Sequence, residues 1–167
     1  MRFLHTIIAV LSAGTLSAAI TGVELQGSLP EANDKYSYKS VNAKPFAKAL
    51  YVKVPEKTKN SWDIQAGIPL NGAIAEGDTI AVVFESRVRE GEGVVGIKVQ
   101  DSAYKSIIWK EAKCGTEWKL QIAADTVKER YQSGELTLAL FLGMAKQELQ
   151  IGGLRIINFG KSAKPAD

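Results

Sequence analysis

Short segments in which apolar and polar residues alternate are the feature that most constrains the fold of this chain. The clearest of them follows a turn signal at Glu76-Gly77-Asp78 and extends to Arg87. In it Ile80, Val82 and Phe84 point to one face, as expected for a strand that buries that face. We therefore predict that Phe84 lies in a hydrophobic core.

The opposite face of the same strand has a mixed character. Ala81 and Val83 are followed there by Glu85 and Arg87. Charged side chains on a packed face need partners, whereas a face that is partly apolar and partly hydrogen-bonding suits a polyhydroxylated ligand. The alternative is that the two charged side chains pair with each other or reach water at the rim of the sheet.

Similar alternating segments recur along the chain and are separated by turns. They are Ile20–Gly27, Phe46–Val54, Trp62–Leu70, Val94–Gln100, Tyr104–Trp109, Trp118–Ile122, Leu136–Leu142 and Leu149–Phe159. The last is either a strand pair or one long strand bent at Gly152-Gly153, and only Ala123–Gln132 has helical character. Eight or nine short strands with almost no helix predict an all-β fold, an antiparallel β-sandwich of the jelly-roll type.

The alternation also predicts which aromatic residues are in the core. Trp62 and Trp118 each share a face with aliphatic residues, which predicts that both are in the core. Tyr104 and Trp109 lie close to a turn and are less firmly held in an apolar pattern. Phe141 is open to two interpretations, since it either floors a cleft or packs between the two sheets.

The ends of the chain are predicted to lie outside the folded domain. Met1-Arg2, an apolar stretch and the small residues Ser17-Ala18-Ala19 are typical of a secretory signal peptide over residues 1–19, which is too short for a membrane anchor. We expect one domain over residues 20–160 and a polar tail over residues 161–167. The mature protein is then secreted or periplasmic, without membrane insertion.

Composition excludes several function classes. His5 is the only histidine and lies in the predicted signal peptide, so imidazole catalysis is not expected in the mature protein. Cys114 is the only cysteine, which excludes an intrachain disulfide and predicts an inert, buried thiol. The net charge of +3 is scattered, so no nucleic-acid partner is expected.

The order of these signals resembles the carbohydrate-binding modules of the galactose-binding-like jelly-roll superfamily, especially those that accompany bacterial xylanases and related glycanases. The resemblance extends from Phe46 to Gly160. It rests on Ala49-Leu-Tyr-Val52, Trp62-Asp-Ile-Gln65, Pro69-Leu70, Ile74, Gly77-Asp78, Phe84, Arg87, Glu117-Trp-Lys119, Leu142-Gly143, Gln147, Ile151-Gly-Gly153 and Asn158-Phe-Gly160.

This resemblance implies a secreted, non-catalytic module that binds a polysaccharide or oligosaccharide, with a β-linked plant or algal glycan as the expected ligand. Such modules usually accompany a catalytic domain; none follows Gly160, so a separate glycanase is the expected partner. Members often hold a structural calcium ion, for which Glu24 is a candidate ligand. The last strand supplies no carboxylate to meet it, so no cofactor is predicted to be required.

A sugar site needs aromatic faces for the C–H patches of pyranose rings and planar polar groups for neighbouring hydroxyls. We expect one face opposite the core to carry the polar groups Gln65, Glu85 and Arg87, with Trp109 or Tyr104 stacking at its rim. The predicted site residues are Gln65, Glu85, Arg87, Gln150, Tyr104 and Trp109.

Two other function classes stay open at this point. A jelly-roll hydrolase needs two opposed carboxylates, for which Glu85 and Asp63 are the candidates, and a lyase could use Arg87 with Tyr104. A structural or adhesion subunit needs no site at all. Exposed cleft aromatics in the folded protein favour glycan binding, and a packed interior on both sides of the central strand favours the structural subunit.

Overall fold

A computed structural model describes residues 6–7, 20–42 and 46–163. The strands within these ranges are β1 (Thr6–Ile7), β2 (Ile20–Thr21), β3 (Val23–Glu24), β4 (Tyr36–Ser40), β5 (Lys48–Val54), β6 (Gln65–Pro69), β7 (Thr79–Gly91), β8 (Val94–Asp101), β9 (Ser106–Lys113), β10 (Lys119–Thr126), β11 (Leu136–Phe141) and β12 (Gln147–Asn158). Two short 3-10 helices complete them, Ser61–Asp63 and Gly160–Ser162.

Two antiparallel sheets form a sandwich. The larger sheet has the strand order β10-β7-β12-β5-β4, with β3 added beside the end of β12, and the smaller sheet has the order β6-β11-β8-β9. The strands β1 and β2 form a separate two-stranded sheet. The predicted all-β antiparallel sandwich is confirmed.

The core lies between the inner faces of the two sheets. Phe84 on β7 is 1% exposed, so its predicted core position is confirmed. The smaller sheet supplies the facing layer, which includes Leu136, Leu138 and Leu140 of β11. Because strand side chains alternate, every strand of the sandwich also presents an outer face.

The bend predicted at Gly152-Gly153 is present in β12. This strand pairs with β7 on one side and with β5 on the other, and its register with β7 shifts between Gly152 and Arg155. Gly153 has a φ of +63°, and a Cβ on Gly152 would lie 2.1 Å from the Phe46 ring. Glycine is therefore required at the bend.

The predicted inward face of β10 is wrong. Leu120 and Ile122 are exposed, and Gln121 and Ala123 point inward. Gln121 is accommodated because its Nε2 donates to the Ser86 Oγ at 3.2 Å and to the backbone oxygen of Lys113 at 3.1 Å. A buried amide whose hydrogen bonds are made costs little, so the apolar side chains are not forced inward.

The predicted helical character of Ala123–Gln132 is also wrong. β10 continues to Thr126, and the chain then reaches Tyr131. Tyr131 exchanges two backbone hydrogen bonds of 2.9 Å with Ile74. These long-range bonds replace those that a helix would make locally.

The terminal predictions are only partly covered. The predicted signal peptide lies outside the described residues except for Thr6 and Ile7. The fold continues into the predicted polar tail, because Thr79 Oγ1 donates to the backbone oxygen of Ala163 at 2.8 Å; residues 164–167 lie outside the described ranges. No helix in the part of the chain that the structure describes is long and apolar enough to cross a membrane.

Cys114 is buried in the core cluster, as predicted. Burial raises the pKa of its thiol, although a hydrogen bond with Ser86 opposes the shift. We expect alkylation of Cys114 at neutral pH to be slow in the folded protein and fast after unfolding, because the thiolate is the reactive form. Mass spectrometry of iodoacetamide-treated samples would measure this, and equal rates in both states would contradict it.

Candidate functional site

The outer face of the smaller sheet carries a cleft of about 390 Å³. Its lining side chains come from β6, β8, β11 and the adjoining turns. They are Trp62, Gln65, Lys98, Gln100, Tyr104 and Phe141.

The strand register explains how these side chains come together. The register places Gln65 on β6 opposite Phe141 on β11, and Phe141 opposite Gly96 on β8. The next outward row contains Gly67, Ala139, Lys98 and Trp109. A Cβ on Gly67 would meet only the Thr137 Cγ2, at 4.0 Å. Small residues thus leave room above the sheet for a ring.

Three exposed aromatic side chains surround this floor. Trp62 is 55% exposed, Trp109 is 49% exposed and Tyr104 is 73% exposed. The buried Phe141 ring lies between the two tryptophans, with its centroid 6.3 Å from that of Trp62 and 5.6 Å from that of Trp109. Large aromatic side chains kept in water are unusual in a monomeric domain unless they serve binding.

The predicted core position of Trp62 is therefore wrong. The strand β6 begins only at Gln65, and Trp62 lies in the preceding 3-10 helix. Asp63 holds this turn, because its carboxylate accepts hydrogen bonds from the Asn60 backbone N at 3.0 Å and from the Asn60 Nδ2 at 3.2 Å. An asparagine followed three residues later by an acidic residue is a helix-start signal. That signal was available in the sequence.

The loop before Trp62 is fixed to the end of β11. The Thr58 Oγ1 donates to the Gly143 backbone oxygen at 2.9 Å, and the Thr58 backbone N donates to the same oxygen at 3.1 Å. The approach requires glycine, since a Cβ on Gly143 would lie 2.2 Å from Thr58 Oγ1. Trp62 is thus presented by an anchored loop, which reduces the entropy cost of binding.

Tyr104 stands on the β8–β9 turn in a strained conformation. Its φ is +64°, a value that residues with a Cβ rarely adopt. Asp101 stabilises the turn, because its Oδ1 accepts hydrogen bonds of 2.9 Å from the backbone N of Ala103 and from that of Lys105. Strain of this kind is common at binding sites.

A Tyr104→Gly variant should separate stability from binding. We expect its free energy of unfolding to stay constant or rise by up to about 1 kcal/mol, because glycine adopts a positive φ without strain. Ligand affinity should fall, because the exposed ring is lost. Thermal melts and ligand titrations would measure the two effects. A marked loss of stability with unchanged affinity would give Tyr104 a structural role instead.

The cleft also holds polar groups with free hydrogen-bonding capacity. Gln100 Oε1 is buried and has no hydrogen-bond partner among the described residues. Gln65 is exposed at the other end of the Phe141 row. Lys98 Nζ donates to the Tyr104 backbone oxygen at 3.2 Å. Lys98 was not among the predicted site residues, although its outward position in the β8 alternation was a usable signal.

The structure does not assemble the predicted site on one face. Gln65, Tyr104 and Trp109 lie on the smaller sheet, whereas Glu85, Arg87 and Gln150 lie on the outer face of the larger sheet, across the core. The prediction of a shared face is wrong. Alternation along a strand shows which side chains point away from the core, but it does not show to which of the two sheets the strand belongs.

The residues on the larger sheet largely satisfy one another. Arg87 Nε donates to Gln150 Oε1 at 2.6 Å, and Gln150 is buried. The Arg87 guanidinium lies 4.7 Å from the centre of the Trp118 ring, and Phe46 packs edge-on against that ring at 4.9 Å. Trp118 is thus a half-buried outer-face residue, and its predicted core position is wrong.

Neither predicted catalytic constellation is assembled. Asp63 belongs to the turn beside the smaller sheet, on the opposite side of the sandwich from Glu85. The same separation applies to Tyr104 and Arg87. Two carboxylates on opposite sides of a domain cannot share a substrate.

The candidate calcium ligand already has a partner. Glu24 Oε2 lies 3.3 Å from Arg155 Nη2, so its charge is balanced by a guanidinium. Within the described residues no group of three or more His, Cys, Asp and Glu side chains is placed to hold a metal ion.

Known proteins resemble this chain in structure. The second N-terminal cellulose-binding domain of β-1,4-glucanase C from Cellulomonas fimi superposes with a TM-score of 0.57 at 22% identity, over 87% of this chain and 98% of that domain. The carbohydrate-binding module CBM4 gives a TM-score of 0.59 at 10% identity, over 73% of this chain and 75% of the module. The chain has the fold of a carbohydrate-binding module.

The same jelly-roll fold also occurs inside an enzyme. The arabinose-bound α-L-arabinofuranosidase MgGH51 matches 78% of this chain with a TM-score of 0.56 at 9% identity, but this chain spans only 23% of that protein. No family model and no curated protein sequence matches the chain. The predicted jelly-roll class is confirmed at the level of the fold.

Proposed function

We propose that this chain is a non-catalytic module that binds a β-linked oligosaccharide or polysaccharide in the cleft of the smaller sheet. The observation that carries this proposal is the convergence of Trp62, Tyr104 and Trp109 on a floor of small residues. The exposed aromatic rings can stack on the C–H faces of sugar rings, and the small residues between them leave room for the ligand.

The polar lining supports the same ligand class. Gln65 and Gln100 are planar amides, which accept and donate to adjacent hydroxyls. The domain shares its fold with a cellulose-binding domain and with a family 16 carbohydrate-binding module. Exposed cleft aromatics also favour glycan binding over the structural or adhesion subunit. A separate glycanase acting on the same polysaccharide is the proposed partner.

Calorimetric titration with xylo- and gluco-oligosaccharides tests the proposal. We expect saturable binding without turnover, a roughly ten-fold or larger loss of affinity in Gln65→Ala, and little change in Arg87→Ala, which alters the opposite side. Thermal melts must show that both variants are folded at the temperature of the titration. Binding lost in Arg87→Ala but kept in Gln65→Ala would move the site to the larger sheet, and cleavage of the oligosaccharide would refute a non-catalytic role.

We also propose that the protein acts outside the cytoplasm. The basis is the apolar stretch that ends in Ser17-Ala18-Ala19. Expression in a secreting host should yield a mature protein that begins near Ile20, as mass spectrometry of the culture or periplasmic fraction would show. A secreted product that retains Met1 would contradict this cleavage.

A further inference from the structure

A lysine stands at the centre of the cleft floor. Lys98 lies opposite Ala139 on one side and Trp109 on the other, so its side chain projects from the middle of the smaller sheet. The side chain is partly buried and lines the cleft together with aromatic rings. Its ammonium group donates to the Tyr104 backbone oxygen at 3.2 Å and has further N–H donors that an anionic ligand group can accept from.

The described residues supply no anionic partner for Lys98. No carboxylate is among the cleft-lining residues, and none of the ion pairs within the described ranges includes Lys98. Asp101, at the end of the same strand, uses its carboxylate to hold the turn that carries Tyr104. Glu111 lies on the same face but one row away, opposite Gly96.

A second polar group in the cleft has an unsatisfied acceptor atom. Gln100 follows two residues after Lys98 and points to the same face. Its Oε1 is buried and accepts no hydrogen bond from the described residues. An unsatisfied acceptor of this kind is unfavourable, so a ligand hydroxyl that donates to it would stabilise the complex. A ligand that carries a hydroxyl group close to an anionic group would therefore satisfy both side chains.

We propose that the glycan bound in this cleft is acidic, and that Lys98 determines this specificity. An anionic substituent on a sugar ring, either a carboxylate or a sulfate ester, accepts from Lys98 Nζ, and a neighbouring hydroxyl donates to Gln100 Oε1. The aromatic rings hold the adjoining sugars. This inference rests on the proposed function and names the ligand class of the same site.

The test compares three ligands that share one β-1,4-linked backbone. One is unsubstituted, one carries a glucuronate branch and one carries a sulfate ester. We expect wild-type protein to bind at least one anionic form ten-fold or more tightly than the neutral form, and the preferred anion identifies the substituent. Added salt should reduce the preference, because the ion pair is only partly shielded from water.

Two lysine variants make the test specific. Lys98→Gln should lose the preference for the anionic ligand, so that the ratio of anionic to neutral affinity falls from ten or more to about one. Lys110→Gln is the matched control, because Lys110 is exposed on the neighbouring strand and also donates to a backbone oxygen, that of Ile122 at 2.7 Å. It should leave the preference unchanged.

Three outcomes would overturn the inference. A wild type that binds neutral and anionic ligands equally well refutes an acidic ligand, although a glycan-binding function then stands. A preference that survives in Lys98→Gln refutes the role of Lys98. Failure of all three ligands to bind, together with failure of the gluco-oligosaccharides, refutes the proposed function and this inference with it.

Discussion

Replacing Phe84 with alanine is expected to lower the free energy of unfolding by about 3–5 kcal/mol. Phe84 is 1% exposed and lies on β7, which pairs with β10 and β12 in the larger sheet. Removing the ring leaves a cavity between two sheets that cannot close over it without breaking strand pairing. A loss of this size is a large part of the stability of an ordinary domain.

Urea denaturation followed by tryptophan fluorescence would measure the effect of Phe84→Ala. The midpoint should fall while the slope of the transition stays constant, because the surface exposed on unfolding changes little. Val83→Ala is the matched control, since Val83 is the next residue on β7 but lies on the outer face and is partly exposed. An equal loss in both variants would contradict the assigned inner face.

The second large effect is expected on binding. Trp62→Ala should weaken glycan affinity by about 2 kcal/mol or more, roughly thirty-fold, because a stacked tryptophan is a typical binding hot spot. The folded state should lose little, because the side chain is 55% exposed and contributes only one edge of the Phe141 packing. Isothermal titration and thermal melts of the same sample would separate the two quantities.

Trp118→Ala serves as the control for this experiment. Trp118 is also a surface tryptophan, but it packs against Arg87 and Phe46 on the opposite side of the sandwich. Its removal should reduce stability without changing affinity. If Trp118→Ala abolishes binding and Trp62→Ala does not, the ligand occupies the larger sheet.

The strands were largely predictable because alternation reports burial directly. Ile80, Val82 and Phe84 are buried as expected, and so are the leucines of β11. The failures arose where a polar side chain makes a specific hydrogen bond. Gln121 takes an inward position through its bonds to Ser86 and Lys113, which reverses the face of β10. The alternation of apolar and polar residues gives no information about a long-range hydrogen bond of this kind.

The candidate site was predictable only in part, for a topological reason. The sequence indicates which side chains point away from the core, but the sandwich has two outer faces and strand order decides between them. Gln65 and Arg87 share an outward parity, yet β6 and β7 enter different sheets. Trp109 and Tyr104 were identified because they flank a turn, and their grouping with Trp62 depends on the fold around Asp63.

The position of β12 has a consequence for biosynthesis. It is the last strand in the described part of the chain, yet it lies between β7 and β5 in the larger sheet. During synthesis on the ribosome, the edges of β5 and β7 that pair with β12 therefore stay unpaired until the end of the domain has emerged. Topologies that depend on pairing between strands distant in sequence fold in milliseconds to seconds, and unpaired strand edges are prone to aggregation in that time. Yield in a heterologous host should therefore depend on translation rate and on chaperone capacity.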